Sequence, residues 1–227
     1  RHGRGRVRAG APRPRQRPAA RGSAVRPASR QVGPPVRQAP PVTGPVVVAG
    51  AGPESGPELE RVAGLVRDVP DFPSPGILFR DVTPVLADAE AFTVVTTELA
   101  ALVGEADLVA GVEARGFLLG AAVAVVAGTG VVPVRKAGKL PRVAAARSYE
   151  LEYGTATLEL PADAIAPGAR VFLVDDVLAT GGTAAASADL LREVGATVIG
   201  FGALLELTAL NGRSRLGDLP VHALLTV

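Results

Sequence analysis

Two adjacent carboxylates, Asp175 and Asp176, stand just ahead of a run of small and hydroxyl-bearing residues, Ala179-Thr180-Gly181-Gly182-Thr183. Before them, Val171-Phe172-Leu173-Val174 reads as a short buried strand that ends at the acids. After them, Thr183 opens a helix over residues 184–194. A small-residue loop at such a junction leaves backbone N–H groups aimed at one point, and the helix N-terminus adds partial positive charge there. Together these make a phosphate cradle. Gly181 and Gly182 let the backbone approach closely, because no Cβ intervenes. The acids would repel a bare phosphate but can accept hydrogen bonds from vicinal hydroxyls. A ligand that offers both groups is a ribose 5-phosphate. The competing reading is a plain strand-to-helix turn with an acid pair in solvent, and the small-residue run at this spacing argues against it. A Walker A loop is excluded, since the one Gly-Lys pair, Gly138-Lys139, is followed by Leu140. The Gly-x-Gly-x-x-Gly spacing of dinucleotide sites is also missing here.

A second strand–loop–helix unit lies upstream. Leu108-Val109-Ala110-Gly111-Val112 reads as a strand, Glu113-Ala114-Arg115-Gly116 as a turn, and the small and apolar residues to about Ala127 as a helix. Arg115 at that turn can hold an oxyanion with two parallel hydrogen bonds, or it is simply a surface cation at a strand end. Val131-Val132-Pro133-Val134 is another strand, with Pro133 arguing for an imperfect or edge position. The segment Arg135-Lys136-Ala137-Gly138-Lys139 then packs three cations into five residues and holds both lysines of the protein. It is either a solvated charged loop or the anion-binding counterpart of an otherwise acidic domain. Residues 142–149 are small and polar and read as mobile. Alternation over residues 155–160 returns a strand, giving a hairpin-like lid. Taken alone, Ile77-Leu78-Phe79-Arg80-Asp81 reads as an edge strand with Phe79 in the core.

The stretch from Val171 to Thr183 resembles the phosphoribosyl-diphosphate signature of type I phosphoribosyltransferases. Pro75-Gly76-Ile77-Leu78-Phe79-Arg80-Asp81, Lys136-Ala137-Gly138-Lys139-Leu140-Pro141 and Ser148-Tyr149-Glu150-Leu151-Glu152-Tyr153-Gly154 narrow the likeness to the adenine phosphoribosyltransferases. It runs from about Val66 to the C-terminus. The resemblance implies that Asp175 and Asp176 hold the ribose hydroxyls and that Ala179, Thr180, Gly181, Gly182 and Thr183 hold the ribose phosphate. It assigns Arg115, Lys136, Lys139 and Tyr153 to the diphosphate, with Arg135 a candidate to reach a neighbouring subunit's site. Phe79 would stack on adenine, the main chain at Leu78 and Arg80 would read its edge, and Val177 would form an apolar floor. Glu152 would be the acid/base residue, with Glu150 as rival, and Arg115 would assist catalysis by neutralising the leaving group. The implied reaction is adenine plus 5-phosphoribosyl 1-diphosphate giving AMP and diphosphate. Magnesium would enter bound mainly through the diphosphate donor, with no direct protein ligand. A cytoplasmic homodimer is implied as well.

Composition bounds these readings. At 227 residues and 48% hydrophobic content the chain allows one ordinary domain plus an extension. No apolar run is long enough for a membrane span. There is no cysteine, and His2 and His222 are the only histidines, so a histidine-based metal site or a Ser-His-Asp triad is not expected. Residues 1–53 hold eleven arginines and no acid, whereas residues 54–227 hold 13 basic against 22 acidic residues, a balance of −9. Nucleic-acid binding would therefore rest on the leader alone and is not expected. Residues 1–56 cannot bury enough apolar surface to order themselves and are expected to be disordered, Val46-Val47-Val48 included. The leader is expected to be inert or artefactual, against a targeting peptide, a polyanion-binding arm, or a coding start set too far upstream.

Residues 57–227 form the expected catalytic domain. Helices are predicted over 57–67 and from an Asp88 N-cap to Val103. A long buried strand follows at 197–207, then a turn at Asn211-Gly212 and a final strand over 221–227. Alternation of strands and helices predicts an α/β type I phosphoribosyltransferase fold. Its central sheet is mainly parallel and covered on both faces, with a small hood near residues 70–85 and a mobile lid hairpin. Rival functions are a relative acting on another purine, and a non-catalytic ligand-sensing regulator on the same fold.

Overall fold

The strand at the centre of the molecule, β8 (Arg170–Leu178), is buried on both faces, and its side chains alternate between two cores. Phe172 and Val174 join one cluster, while Val171 and Leu173 join the other. That two-sided burial is why the strand reads as a continuous apolar run rather than an alternating one. The computed structural model describes residues 42–49, 56–151 and 154–227. All of them lie in one compact unit, Arg37–Val227.

The elements run β1 (Val47–Val48), α1 (Gly56–Leu65), β2 (Arg67–Pro70), β3 (Leu78–Asp81), α2 (Thr83–Ala87), α3 (Ala89–Ala101), β4 (Leu108–Val112) and α4 (Gly116–Ala127). Then come β5 (Gly130–Lys136), β6 (Val143–Leu151), β7 (Gly154–Pro161), β8, α5 (Gly182–Glu193), β9 (Thr197–Glu206), two short 3₁₀ turns and β10 (Val221–Thr226). Eight strands form one sheet in the order β1-β10-β9-β8-β4-β5-β7-β6. The five strands from β10 to β5 pair in parallel, and β1, β7 and β6 add antiparallel edges. Helices α1, α3 and α4 contribute Leu59, Val62, Val95, Leu99, Leu119 and Val123 to one core. On the opposite face α5 contributes Leu190 and Leu191. The hairpin β2–β3 stands apart from the sheet as the expected hood.

Helix starts follow the sequence signals. Asp88 caps α3 and accepts from Ala91 N at 2.9 Å. Along one line helix α4 lies against β4 backbone to backbone. A Cβ on Gly111 would fall 2.8 Å from Gly116 O, and one on Gly120 would fall 2.9 Å from Gly111 Cα. Within the other half of the sheet, Phe172 spreads over two glycines of β9, where a Cβ on Gly200 or Gly202 would lie 2.7 or 2.9 Å from its ring.

Four expectations need correction. Asp175 and Asp176 lie inside β8, because the ladder with β9 continues from Asp175↔Ala203 to Leu178↔Glu206. Residues 142–149 largely form β6, paired with β7 from Val143 onward. Residues 42–49, expected to be disordered, include β1, which covers the free side of β10. Val42 there is buried, and Arg80 Nη2 donates to Gly44 O at 2.7 Å. The other residues of the leader lie outside the described residues. Finally, Pro133 is in an interior strand, yet its missing N–H costs little. Val134 O accepts from Glu113 N toward β4, so the neighbouring Pro133 faces the other side, where pairing with β7 begins only at Arg135.

Phe172→Ala is expected to lower unfolding free energy by about 3–5 kcal/mol, since the two glycines cannot refill the space. Urea titration measures it; a loss below about 1 kcal/mol would show that Phe172 does not anchor this core.

Candidate active site

The C-terminal ends of the adjacent strands β4 and β8 bring together two loops that the sequence separates by about sixty residues. Their closeness depends on Gly116. Any Cβ there would fall 2.7 Å from Asp175 Oδ1 and 3.0 Å from Val174 O.

The loop after β8 has the expected form. Residues Ala179 to Thr183, with Asp175 and Val177, line a small concavity of about 70 Å³. Gly181 caps α5 at φ 77°, and a Cβ there would meet Gly212 O at 2.2 Å, so only glycine serves. Helix α5 begins at Gly182, two residues before the expected start at Ala184. Among the described residues, none of the N–H groups from Ala179 to Thr183 donates to a protein acceptor, and the first helical bond to this turn is Ala185 N to Gly181 O. Five main-chain donors are thus left at a helix N-terminus, the condition for anion binding.

The acid pair divides its labour. Asp176 is buried, and its Oδ2 lies 2.5 Å from Arg115 Nε. Asp175 is half-buried, and its Oδ1 accepts from Asp176 N at 2.8 Å. Burial, with the neighbouring charge of Asp176 second, pushes the Asp175 carboxyl well above the usual range. Arg115 also lies over Phe79, with its guanidinium carbon 5.6 Å from the ring centroid. Phe72 meets Phe79 edge-on at 5.1 Å. One line of contacts therefore joins the hood ring, the arginine and the buried acid. The Arg80 side chain points to the other face of β3, bound to Asp68, Val42 O and Gly44 O, which leaves only its main chain for a ligand. Leu78 and Phe79 are half-buried.

The cationic segment is organised by a residue that sequence reasoning did not single out. Glu113, one residue beyond β4, has only 8% of its side chain exposed and accepts from Lys139 Nζ at 2.6 Å, Lys136 N at 2.9 Å and Arg135 Nε at 3.4 Å. Arg135 also lies over Phe117 at 5.7 Å. The Lys136 side chain is exposed. Burial pushes the Glu113 carboxyl up, but the bonds from Lys139 and the Lys136 N–H outweigh it and hold the group at about 2. The available signal was a carboxylate two residues before Arg115 in the same turn. Tyr149 was also missed; its hydroxyl lies 3.0 Å from Thr183 Oγ1. Glu152 and Tyr153 lie outside the described residues. The rival Glu150 is exposed on β6.

Because the Glu113 carboxyl is depressed on folding, its stabilisation is complete above its ordinary 4.5 and vanishes as pH falls through about 2. Wild type should therefore be more stable than Glu113→Gln near neutral pH, with the gap closing between about pH 5 and pH 2. Urea unfolding across that range measures it; a constant gap would contradict the assignment.

Comparison with known proteins agrees with this geometry. The family described as phosphoribosyl transferase domain matches residues 86–218. Adenine phosphoribosyltransferase from Salinispora tropica is 58% identical over 177 residues, covering 77% of this chain and 94% of that one. The crystal structure of adenine phosphoribosyltransferase from Thermoanaerobacter pseudethanolicus is 48% identical, with a TM-score of 0.71, and covers 74% of this chain and 99% of that one. The Saccharomyces cerevisiae enzyme, solved with an imino-altritol bisphosphate and adenine, is 38% identical with a TM-score of 0.70, covering 74% and 98%. By the family match over residues 86–218 and the high identity across nearly the whole length of these relatives, the chain belongs to the adenine phosphoribosyltransferase family.

Proposed function

We propose that this chain transfers the 5-phosphoribosyl group from its diphosphate donor to adenine, giving AMP and diphosphate. The observation that carries this reading is the row of N–H groups from Ala179 to Thr183 without an acceptor among the described residues, close in sequence to the half-buried Asp175 and the buried Asp176. The cradle takes the 5-phosphate, and Asp175 and Asp176 take the ribose hydroxyls. Cleavage at the anomeric carbon builds positive charge on the sugar ring and negative charge on the leaving diphosphate. Arg115, Lys136 and Lys139 neutralise the latter, joined by Tyr153 and Arg135. Phe79 provides a flat face for adenine, the main chain of Leu78 and Arg80 its edge, and Val177 a floor. Glu152 serves as acid/base at the purine, a role that typically contributes about 10²–10⁴-fold.

Arg115 cannot serve diphosphate fully while held by Asp176, nor Lys139 while held by Glu113. Donor binding exchanges both pairs: ribose hydroxyls replace Arg115 on Asp176, and diphosphate oxygens compete for the cations. Among the described residues no three acids or histidines cluster as a metal cage. Magnesium would instead be carried mainly by the donor's diphosphate oxygens, ribose hydroxyls and water, with Asp175 and Asp176 reaching it only through the hydroxyls they hold. When bound, it supplies charge neutralisation on the leaving group. We place the working enzyme in the cytoplasm, with residues 57–227 as its catalytic domain. No helix among the described residues is long and apolar enough to cross a membrane.

Labelled adenine with the diphosphate donor and magnesium should yield labelled AMP, and Asp175→Asn should cut turnover about 3- to 10-fold through the weakened hydrogen bond to a ribose hydroxyl. Absence of AMP with the wild-type chain would defeat the reading.

Helix α4 has no charged residue, and its outer side exposes Leu118, Val125 and Val126. Such a patch on an otherwise acidic domain suits a second copy of the chain. We expect a homodimer by sedimentation, and a single chain for Val125→Glu; an unchanged mass in that variant would move the interface elsewhere.

A further inference from the structure

Strand β6 is clasped to helix α5 at two places. Arg147 Nη2 lies 3.0 Å from Asp189 Oδ2, and its Nη1 pairs with Glu193. One residue pair along, the Tyr149 hydroxyl meets Thr183 Oγ1 at 3.0 Å. The same stretch roofs the first turn of α5: a Cβ on Gly182 would lie 3.6 Å from Glu150 O and 3.8 Å from the Tyr149 ring. The lid strand is therefore bonded to the very turn whose N–H groups form the cradle.

The direction of that hydroxyl bond matters. Thr183 Oγ1 has one proton to give and lone pairs to receive. If Thr183 gave its proton to Tyr149, the hydroxyl would turn lone pairs toward an anion in the cradle and repel it. If Tyr149 donates, the Thr183 proton is left for the anion. We propose that Tyr149 is a positioning residue for the donor's 5-phosphate, its O–H donating to Thr183 Oγ1 and thereby aiming the Thr183 proton into the cradle. This rests on the reading of residues 179–183 as the phosphate site. In such a chain each bond polarises the next, so an anion on Thr183 strengthens the bond from Tyr149. By reciprocity, phosphate in the cradle holds β6 down, and β6 held down tightens phosphate.

The test uses the full chain as wild type, Tyr149→Phe, Thr183→Ala and the double variant. Kinetics give KM for donor and for adenine, calorimetry gives the affinity for ribose 5-phosphate, and thermal melting checks that the Phe variant, which keeps the ring, stays folded. Tyr149→Phe should weaken ribose 5-phosphate and raise donor KM about 3- to 10-fold, as loss of one hydrogen bond implies. Adenine KM should stay within about twofold, and the double variant should be no worse than Thr183→Ala. Effects of the two substitutions that multiply, or an equal rise in adenine KM, would overturn the proposal and mark Tyr149 as packing alone. If Thr183→Ala itself leaves ribose 5-phosphate affinity untouched, the phosphate reading fails first, and the role of Tyr149 with it.

Discussion

The ion pair between Arg115 and Asp176 is the contact around which the rest is arranged. A site for a phosphorylated sugar diphosphate needs acids for hydroxyls and cations for phosphates within a few ångströms. Left alone, such groups would either repel across a small cleft or bury unpaired charge, which is costly. Here the opposite charges neutralise each other. Glu113 does the same for Lys139 and Arg135. Both pairs depend on β4 and β8 being neighbours, because the residues at their ends belong to different loops.

This arrangement also explains how an acidic domain keeps a basic corner. Arg115, Arg135 and Lys139 are each tied to a particular carboxylate rather than to the average field, while the Lys136 side chain stands exposed. The positions of the three paired cations are therefore set by the fold itself. The hood joins through Phe79, whose ring is held between Phe72 and Arg115.

Local pattern made the frame readable. Leu108–Val112 and the capped start of α3 follow from apolar runs and one aspartate. What failed was decided by partners distant in sequence. Nothing in residues 175–178 announces that β9 extends far enough to keep them in a ladder, and nothing in residues 142–149 announces β7 beside them. Val47–Val48 is a strand only because β10 offers an open side. The site divides in the same way. The cradle was legible because glycine, hydroxyl and acid sit in one contiguous stretch. Glu113 and Tyr149 were not, because their partners Lys139 and Thr183 lie 26 and 34 residues away. Phe79 reads locally as core; only the family likeness pointed to a ligand, and the ring is in fact half-buried.

The bare contact of α4 with β4 has a mechanical side. Gly111, Gly116 and Gly120 let the helix rest on the strand backbone to backbone, and Gly116 touches Asp175 on the far side. Ordinary helix–sheet layers are cushioned by side chains that change rotamer when pushed. Along the line of these glycines there is no such cushion, so the gap between helix and strand is set by main-chain contact and cannot be tuned by repacking side chains.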